Sequence, residues 1–180
     1  KEGILVALLN KATTGKGSYV ESSLEEAAIS SLANQATNWL MNKKIPQRIG
    51  SLHPNIAPYG DVFQTKDHKE LVLAIGSDAQ FQKFCRLLGS EELSKKSTFL
   101  TNETRVKNRA LLKEALTNLI LNYNRDELIE ACIKNGIPMG AVRNMQEVFE
   151  TPTAQKMILE EQVCNQNTKR VKTIAFKISE

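Results

Sequence analysis

Apolar residues in the first forty positions of the chain recur at the spacing of helices. Residues 4–9 are dense in aliphatic side chains, which favours a helix that packs against another surface. Ser22 and Ser23 each precede a glutamate by three residues, which is the capping-box spacing, and apolar residues then repeat at helical spacing to about Asn42. We therefore predict two helices, the second of them long, joined by a turn at Gly15 and a short strand at Tyr19-Val20.

The helical pattern ends at a stretch that contains three of the five prolines of the chain. Little hydrophobic periodicity remains there, which is typical of a linker or an extended functional loop. We place a domain boundary at this stretch. The predicted parts are a helical segment over residues 1–42, a linker over residues 43–58, a small domain over residues 59–160 and a C-terminal strand segment over residues 161–180.

Strand and helix patterns alternate after the linker. Val62-Phe63 and residues 71–75 flank a polar turn, which predicts an antiparallel hairpin. Residues 171–178 alternate loosely and predict a strand, whereas the polar stretch 162–169 before them has no functional interpretation. Three main helices are predicted, beginning at Ser77, near Thr104 and at Asn124, and Asn144 with Glu147 repeats the capping-box spacing. The predicted fold class is α+β, with a short antiparallel sheet and several helices.

Each of these three helices has one apolar face that predicts core positions. The predicted core residues are Phe81, Phe84, Cys85 and Leu88 in the first helix, Leu112, Ala115, Leu116, Leu119 and Ile120 in the second, and Leu128, Ile129, Cys132 and Ile133 in the third. Gly89 and Asn135-Gly136 end the first and third helices.

Composition indicates a folded protein with an ordinary surface. The chain has 180 residues, of which 41% are hydrophobic and 24% charged, enough for one domain with a core and an appended arm. Its net charge is +4, and the 24 basic residues are interleaved with 20 acidic ones. This pattern argues against a nucleic-acid partner.

The cysteine and histidine content argues against disulfides and metal. Cys85, Cys132 and Cys164 are odd in number and far apart, and only His53 and His68 could join them as zinc ligands. No apolar run reaches the length of a membrane span. The chain begins at a lysine instead of methionine, so we interpret it as a fragment of a longer protein and expect a cytoplasmic location, or an organelle matrix in a eukaryote.

Gly15-Lys16-Gly17-Ser18 superficially suggests a phosphate-binding loop, because glycines let backbone amides approach an anion. The P-loop pattern requires glycine at the position of Asn10 and a hydroxyl residue directly after Lys16. Neither requirement is met. We interpret these residues as a glycine-rich turn.

A second candidate is the segment His53-Pro54-Asn55-Ile56-Ala57-Pro58-Tyr59, whose prolines stiffen a loop that presents an imidazole, an amide and a phenol. A rigid loop loses little entropy on binding, so it suits ligand contact, although an interdomain linker explains the composition equally well. Asp78, close to Gln80, is either a helix cap or an acid of the site.

Ordered blocks of sequence resemble the class III CoA-transferase family, which also includes the alpha-methylacyl-CoA racemases. The blocks are Thr14-Gly15-Lys16-Gly17, Tyr19-Val20, Ser22-Ser23-Leu24, the segment from His53 to Tyr59, Phe63-Gln64-Thr65-Lys66-Asp67, Ile75-Gly76-Ser77-Asp78-Ala79-Gln80-Phe81, Arg105-Val106-Lys107-Asn108-Arg109 and Gly136-Ile137-Pro138-Met139-Gly140-Ala141-Val142.

The resemblance implies a fold and a reaction. The resemblance implies that residues 1–42 are the end of a large domain, organised as helix, strand and helix. It also implies that the later residues are the linker and the small domain. In the implied reaction an aspartate attacks an acyl-CoA thioester, and CoA is passed to a free carboxylic acid through aspartyl intermediates. That aspartate is expected upstream of this chain, so no residue here is expected to be catalytic.

The resemblance also implies substrate contacts and partners. The small-domain loop of the family closes over the thioester, and the implied substrate-binding residues are His53, Pro54, Asn55, Ile56, Ala57, Tyr59, Asp78 and Gln80. No cofactor is expected beyond the CoA thioester substrate, and the implied partners are acyl-CoA, a carboxylic acid and a second copy of the chain in a homodimer, without nucleic acid, membrane or metal. A racemase, or a module that only builds the dimer through the apolar helix at residues 4–9, remains an alternative.

Overall fold

The computed structural model describes residues 2–176 and residue 178. It divides into two compact units, one ending at Arg48 and the other beginning at Ile49. The predicted 1–42 and 161–180 segments and the predicted strand at 171–178 each include positions outside the described residues, which are 1, 177, 179 and 180.

The first unit consists of the helices α1 (Glu2–Thr14), α2 (Leu24–Ser30) and α3 (Ala33–Asn42). The predicted helix at residues 4–9 is confirmed as part of α1, and its side chains are exposed, with Leu5 and Leu9 at 65% and 67%. Gly15 ends α1 in a left-handed conformation, with φ of 72°, and its N–H donates to the carbonyl of Lys11. The predicted turn is therefore a helix C-cap.

Two sequence predictions for this unit are wrong. The long second helix is broken at Ser31-Leu32, and the next residue, Ala33, has φ of 46°, which lies outside the right-handed helical region. The predicted strand at Tyr19-Val20 is irregular chain. A strand needs a neighbour for its backbone groups, and the described residues offer it none.

The second unit is built on an antiparallel sheet of β1 (Tyr59–Gln64), β2 (Glu70–Ala74) and β3 (Met139–Val142), in that order. Phe63 pairs with Leu71, and Leu71 pairs with Ala141. The predicted hairpin is confirmed, and His68 lies exposed in its turn with φ of 58°. β1 and β2 together place one face of alternating residues in the core.

Helices surround this sheet. They are α4 (Asp78–Leu87), α5 (Glu91–Lys95), α6 (Asn102–Lys107), α7 (Arg109–Ile120), α8 (Arg125–Lys134), α9 (Met145–Phe149) and α10 (Pro152–Gln155). The single helix predicted from Thr104 is therefore wrong; it is interrupted at Asn108, whose side-chain amide donates to the carbonyls of Thr98 and Thr104. Within the described part of the chain, no helix is long and apolar enough to cross a membrane.

The predicted core is largely confirmed. The buried set includes Phe81, Phe84, Cys85, Leu88, Leu112, Leu116, Ile120, Leu128 and Cys132, with Ala115, Leu119 and Ile129 packed half-buried against it. Ile133 is the exception, because its side chain is 65% exposed. Leu128 and Cys132 are four residues apart and define the inner face of α8, and Ile133 lies one residue further round.

The caps of α4, α8 and α9 test three sequence predictions. Ser77 accepts the N–H of Gln80 at the start of α4, and Asn144 with Glu147 forms a capping box at α9, as predicted. Asn124 does not accept a bond from the backbone of α8. Instead the carboxylate of Asp67, in the hairpin turn, accepts the N–H of Arg125 at 3.0 Å, so this helix is capped from a distant element.

A second, two-stranded sheet follows α10, formed by β4 (Ile158–Val163) and β5 (Gln166–Val171). Its turn places Cys164 and Asn165 at positive φ, as tight hairpin turns require. The strand predicted over residues 171–178 is therefore wrong from Lys172 to Phe176, which are outside any strand. The strands lie instead on both sides of the centre of the polar stretch 162–169 and extend beyond it, with both faces largely exposed.

The three cysteines differ in accessibility, which gives a first prediction. Burial raises the pKa of the Cys85 and Cys132 thiols to about 12, whereas Cys164 is exposed in the β4–β5 turn. Since the thiolate is the reactive form, we expect one thiol per chain to react with a chromogenic disulfide reagent in native protein at pH 8, and three in denaturant. Rapid reaction of three thiols in the native state would contradict this assignment.

Candidate functional site

The candidate site is the loop of residues 53–59, here called the site loop, which is closed at its base by its own ends. The N–H of His53 donates to the carbonyl of Tyr59 at 2.9 Å, and the hydroxyl of Ser51 donates to the carbonyl of Gly60 at 2.6 Å. The rings of His53 and Tyr59 meet edge to face, with centroids 5.3 Å apart. The structure therefore brings these two predicted site residues together.

Gly60 allows this closure. Its φ is 80°, and a Cβ built on it would lie 1.9 Å from the carbonyl oxygen of Ser51. Only glycine combines the left-handed conformation with so close an approach of two backbone segments. The sequence prediction did not identify this residue.

Asn102 and Arg105 of α6 hold the carboxyl-terminal half of the site loop. The Asn102 side chain donates from Nδ2 to the carbonyl of Asn55 at 2.8 Å and accepts the N–H of Ala57 at Oδ1 at 3.1 Å. Arg105 donates from Nε to the carbonyl of Ala57 at 2.7 Å and from Nη1 to the carbonyl of Phe99 at 3.1 Å. Arg105 is fully buried, so these bonds are shielded from water.

Arg109, the first residue of α7, holds the site loop at two further carbonyls. Its Nη2 donates to the carbonyls of His53 and Ile56, both at 2.7 Å, and its Nη1 donates to Asp61 Oδ2 at 3.1 Å. Asp61 lies in β1 and is almost completely buried. A strand carboxylate is thus connected through one guanidinium to two carbonyls of the loop.

The charges behind the site loop perturb one another. Burial raises the pKa of Asp61, and the nearby positive charges of Arg109 and Lys113 oppose that rise. Burial also lowers the pKa of Lys113, against the attraction of Asp61. Lys113 lies over the Phe63 ring, 3.7 Å from its centroid, and donates to the carbonyl of Val62. These groups form a mostly buried cluster next to β1.

Asp78 and Gln80 lie at the start of α4 and differ in their connection to the site loop. Asp78 Oδ1 accepts from Arg105 Nη2 at 2.7 Å, so Arg105 bridges Asp78 to Ala57, and the Asp78 side chain remains half-exposed. Gln80 Oε1 accepts the N–H of Gly76 at 2.9 Å, so its bond is to the residues just before its own helix and not to the site loop. Of the predicted loop residues, Asn55 and Tyr59 are exposed, His53, Pro54 and Ile56 are half-buried, and Ala57 is buried.

The family assignment comes from comparison with known proteins. The sequence model described as CoA-transferase family III matches residues 2–180. This chain belongs to CoA-transferase family III. The resemblance inferred from the ordered sequence blocks is thereby confirmed.

Named members of CoA-transferase family III are similar to most of the chain. This chain is 33% identical over 152 residues to the succinate–glutarate CoA-transferase of Agrobacterium fabrum, and the match covers 84% of this chain and 38% of that protein. It is 32% identical over 158 residues to the acetyl-CoA:oxalate CoA-transferase of Acetobacter aceti, covering 87% of this chain and 40% of that protein. The chain therefore spans less than half the length of these relatives.

A solved structure confirms the α+β fold class. A CaiB/BaiF family protein from Brucella suis superposes with a TM-score of 0.68 and 38% identity, over 96% of this chain and 45% of that one. The part of the family III fold present here is thus a mixed helical structure with two small antiparallel sheets.

Four residues that hold the site loop were not predicted as part of the site: Asp61, Asn102, Arg105 and Arg109. The block from Arg105 to Arg109 supported the family resemblance, but gave no indication of what its arginines contact. The i, i+4 spacing of the two arginines would place both on one side of a continuous helix, but the break at Asn108 puts Arg105 in α6 and Arg109 in α7. Asp61 gave no such signal.

Proposed function

We propose that the full-length protein transfers CoA from an acyl-CoA to a free carboxylic acid, and that the site loop of this chain contacts the reacting acyl group. Membership of CoA-transferase family III supports the proposal, since the named relatives exchange CoA between carboxylic acids such as succinate and glutarate. The contacting residues are His53, Pro54, Asn55, Ile56, Tyr59, Asp78 and Gln80, and Ala57 contributes through its backbone because its side chain is buried.

The proposed chemistry is covalent carboxylate catalysis. An aspartate oxygen attacks the thioester carbonyl and the carbon–sulfur bond breaks. The CoA thiolate is released, and the product is an acyl-aspartyl anhydride. The thiolate then attacks the aspartyl carbonyl, which releases the donor acid and leaves an aspartyl thioester. The acceptor carboxylate attacks the carbonyl of that thioester, the carbon–sulfur bond breaks, and a second anhydride forms between the acceptor and the aspartate. The released thiolate attacks the acceptor carbonyl of this anhydride, which gives the new acyl-CoA and restores the aspartate carboxylate. No proton or electron is gained or lost overall.

We propose that the nucleophile lies outside these 180 residues, and the contacts of the four aspartates of the chain support this proposal. Asp61 pairs with Arg109 and Asp78 with Arg105, Asp67 accepts bonds from Thr65 and from the backbone of Arg125, and Asp126 pairs with the Arg125 side chain. A carboxylate that already accepts strong bonds is a weakened nucleophile. The isolated chain is therefore proposed to be inactive.

Three further statements stay predictions. The chain is expected to act as part of a homodimer, to require no cofactor besides its CoA thioester substrate, and to function in the cytoplasm or, in a eukaryote, in an organelle matrix. The exposed apolar side chains of α1 support association with another surface, without identifying it.

The test compares the full-length protein with the 180-residue chain. Each is mixed with succinyl-CoA or acetyl-CoA and with glutarate, oxalate or another acid, and new acyl-CoA species are followed by mass spectrometry. We expect new acyl-CoA from the full-length protein only. Peptide mass spectrometry after rapid quenching should show a CoA adduct on an aspartate.

Two outcomes would contradict the proposal. A CoA adduct on Asp61, Asp67, Asp78 or Asp126 would mean that this chain holds the nucleophile. Solvent deuterium incorporated next to the thioester carbonyl, without acyl exchange, would identify a racemase instead of a transferase.

A further inference from the structure

One nitrogen of the Arg109 guanidinium donates to two carbonyls of the site loop. Both N–H groups of one nitrogen, Nη2, have partners within the same short loop, the carbonyls of His53 and Ile56 at 2.7 Å each. Two carbonyls three residues apart can share one nitrogen only if the chain between them is tightly curved. The position of this guanidinium therefore fixes the curvature of the site loop.

Asp61 fixes the guanidinium in turn. Its Oδ2 accepts from Arg109 Nη1 at 3.1 Å, and its side chain is only 4% exposed. Asp61 belongs to β1, whose residues before and after it, Tyr59 and Val62, pair with β2 in the core sheet. The nearby ammonium of Lys113 is the second positive charge that faces it.

We propose that Arg109, oriented by Asp61, is a positioning residue that sets the conformation of the site loop for CoA transfer. The proposal rests on the proposed function of that loop. It assigns no chemical step to either residue. Arg109 acts through the backbone of residues 53–56, and Asp61 acts through Arg109.

Arginine suits this role because its planar group offers donors in fixed directions, whereas the lysine ammonium is a single point on a flexible stem. A lysine at position 109 would keep the charge but could not place donors simultaneously toward two carbonyls and the carboxylate. Arg109→Lys therefore removes the geometry and retains the charge. Asp61→Asn retains an acceptor of the same shape and removes the charge.

The test uses the full-length protein carrying Arg109→Lys or Asp61→Asn. We expect kcat for CoA transfer to fall about 10- to 100-fold in Arg109→Lys, because small misplacements of a positioned group have effects of that order. Amide hydrogen exchange in peptides covering the site loop should become faster. The matched control is Arg86→Lys, since Arg86 is exposed on α4 and paired with Glu91, and it should leave kcat and loop exchange unchanged.

Far-UV circular dichroism establishes whether each variant folds. If Arg109→Lys does not fold, Asp61→Asn serves as the second test. A folded variant whose kcat equals that of the wild-type protein would overturn the proposal, even if amide exchange in the loop were faster. The bonds of Arg109 would then have only a structural role. Absence of CoA transfer by the wild-type protein would instead overturn the proposed function, and the loop-exchange comparison would still decide whether Arg109 sets the loop.

Discussion

Replacing Gly60 by alanine is expected to lower the free energy of unfolding of the second unit by about 3 kcal/mol or more, the combined effect of a left-handed alanine and a backbone clash. The added methyl would lie 1.9 Å from the carbonyl oxygen of Ser51 and 2.8 Å from its carbon. Both atoms belong to backbone, so no side-chain rotation relieves the overlap. The base of the site loop must open instead.

Urea denaturation followed by far-UV circular dichroism measures this change. The single tryptophan, Trp39, belongs to the first unit, so circular dichroism is used instead of its fluorescence. Gly89→Ala and Gly136→Ala are matched controls, because both glycines have φ near 70° and nothing within 4 Å of an added Cβ. Each control should lose only about 1 kcal/mol, the conformational part of the effect. Equal losses in all three variants would refute the clash.

Replacing Arg105 by methionine is expected to cost about 3 kcal/mol or more, because two carbonyl acceptors lose a charged donor in a buried place. These acceptors are the carbonyls of Ala57 and Phe99. Methionine retains the apolar length of the side chain, so the loss reports mainly on hydrogen bonds and on the guanidinium stacked over Phe81, 4.6 Å from its centroid. The same urea denaturation measures it.

The control for Arg105 is Asp78→Asn. Asp78 is half-exposed and its amide analogue can still accept from Arg105, so this change should alter stability by less than about 1 kcal/mol. A loss as large as that of Arg105→Met would mean that the ion pair, and not the carbonyl bonds, accounts for the role of Arg105. If Asp78 contacts substrate, Asp78→Asn should lower kcat/KM of the full-length protein while stability is retained.

Features of the fold that depend on neighbouring residues were predictable from the sequence. The hairpin of β1 and β2 pairs residues at most fifteen positions apart, from Tyr59 with Ala74, and the Ser77 cap and the Asn144–Glu147 capping box each depend on residues three positions apart. Interruptions of helices were not predictable, because the breaks at Ser31-Leu32 and at Asn108 are changes of backbone conformation that the spacing of apolar residues does not encode. A helical spacing of apolar residues continues across such breaks.

The site was predictable only in part, for a related reason. Residue types identified the loop from His53 to Tyr59, since prolines next to polar rings are visible in the sequence. The side chains that hold it come from α6 and α7, and a single sequence contains no signal that Asn102 meets Asn55 or that Arg109 meets Ile56. Gly60 is one glycine among nine, and only the approach of Ser51 distinguishes it.

The bonds from α6 and α7 to the site loop also set the order in which the protein can be assembled. They join residues 45 to 56 positions apart, from Asn102 with Ala57 to Arg109 with His53. The site loop is therefore synthesised well before the side chains of α6 and α7 that bond to it. Contacts that span such separations form late, after the local hairpin and helices. The hairpin of β1 and β2 can form before the site loop is held in place, and synthesis must reach α7 before the loop can acquire its final conformation.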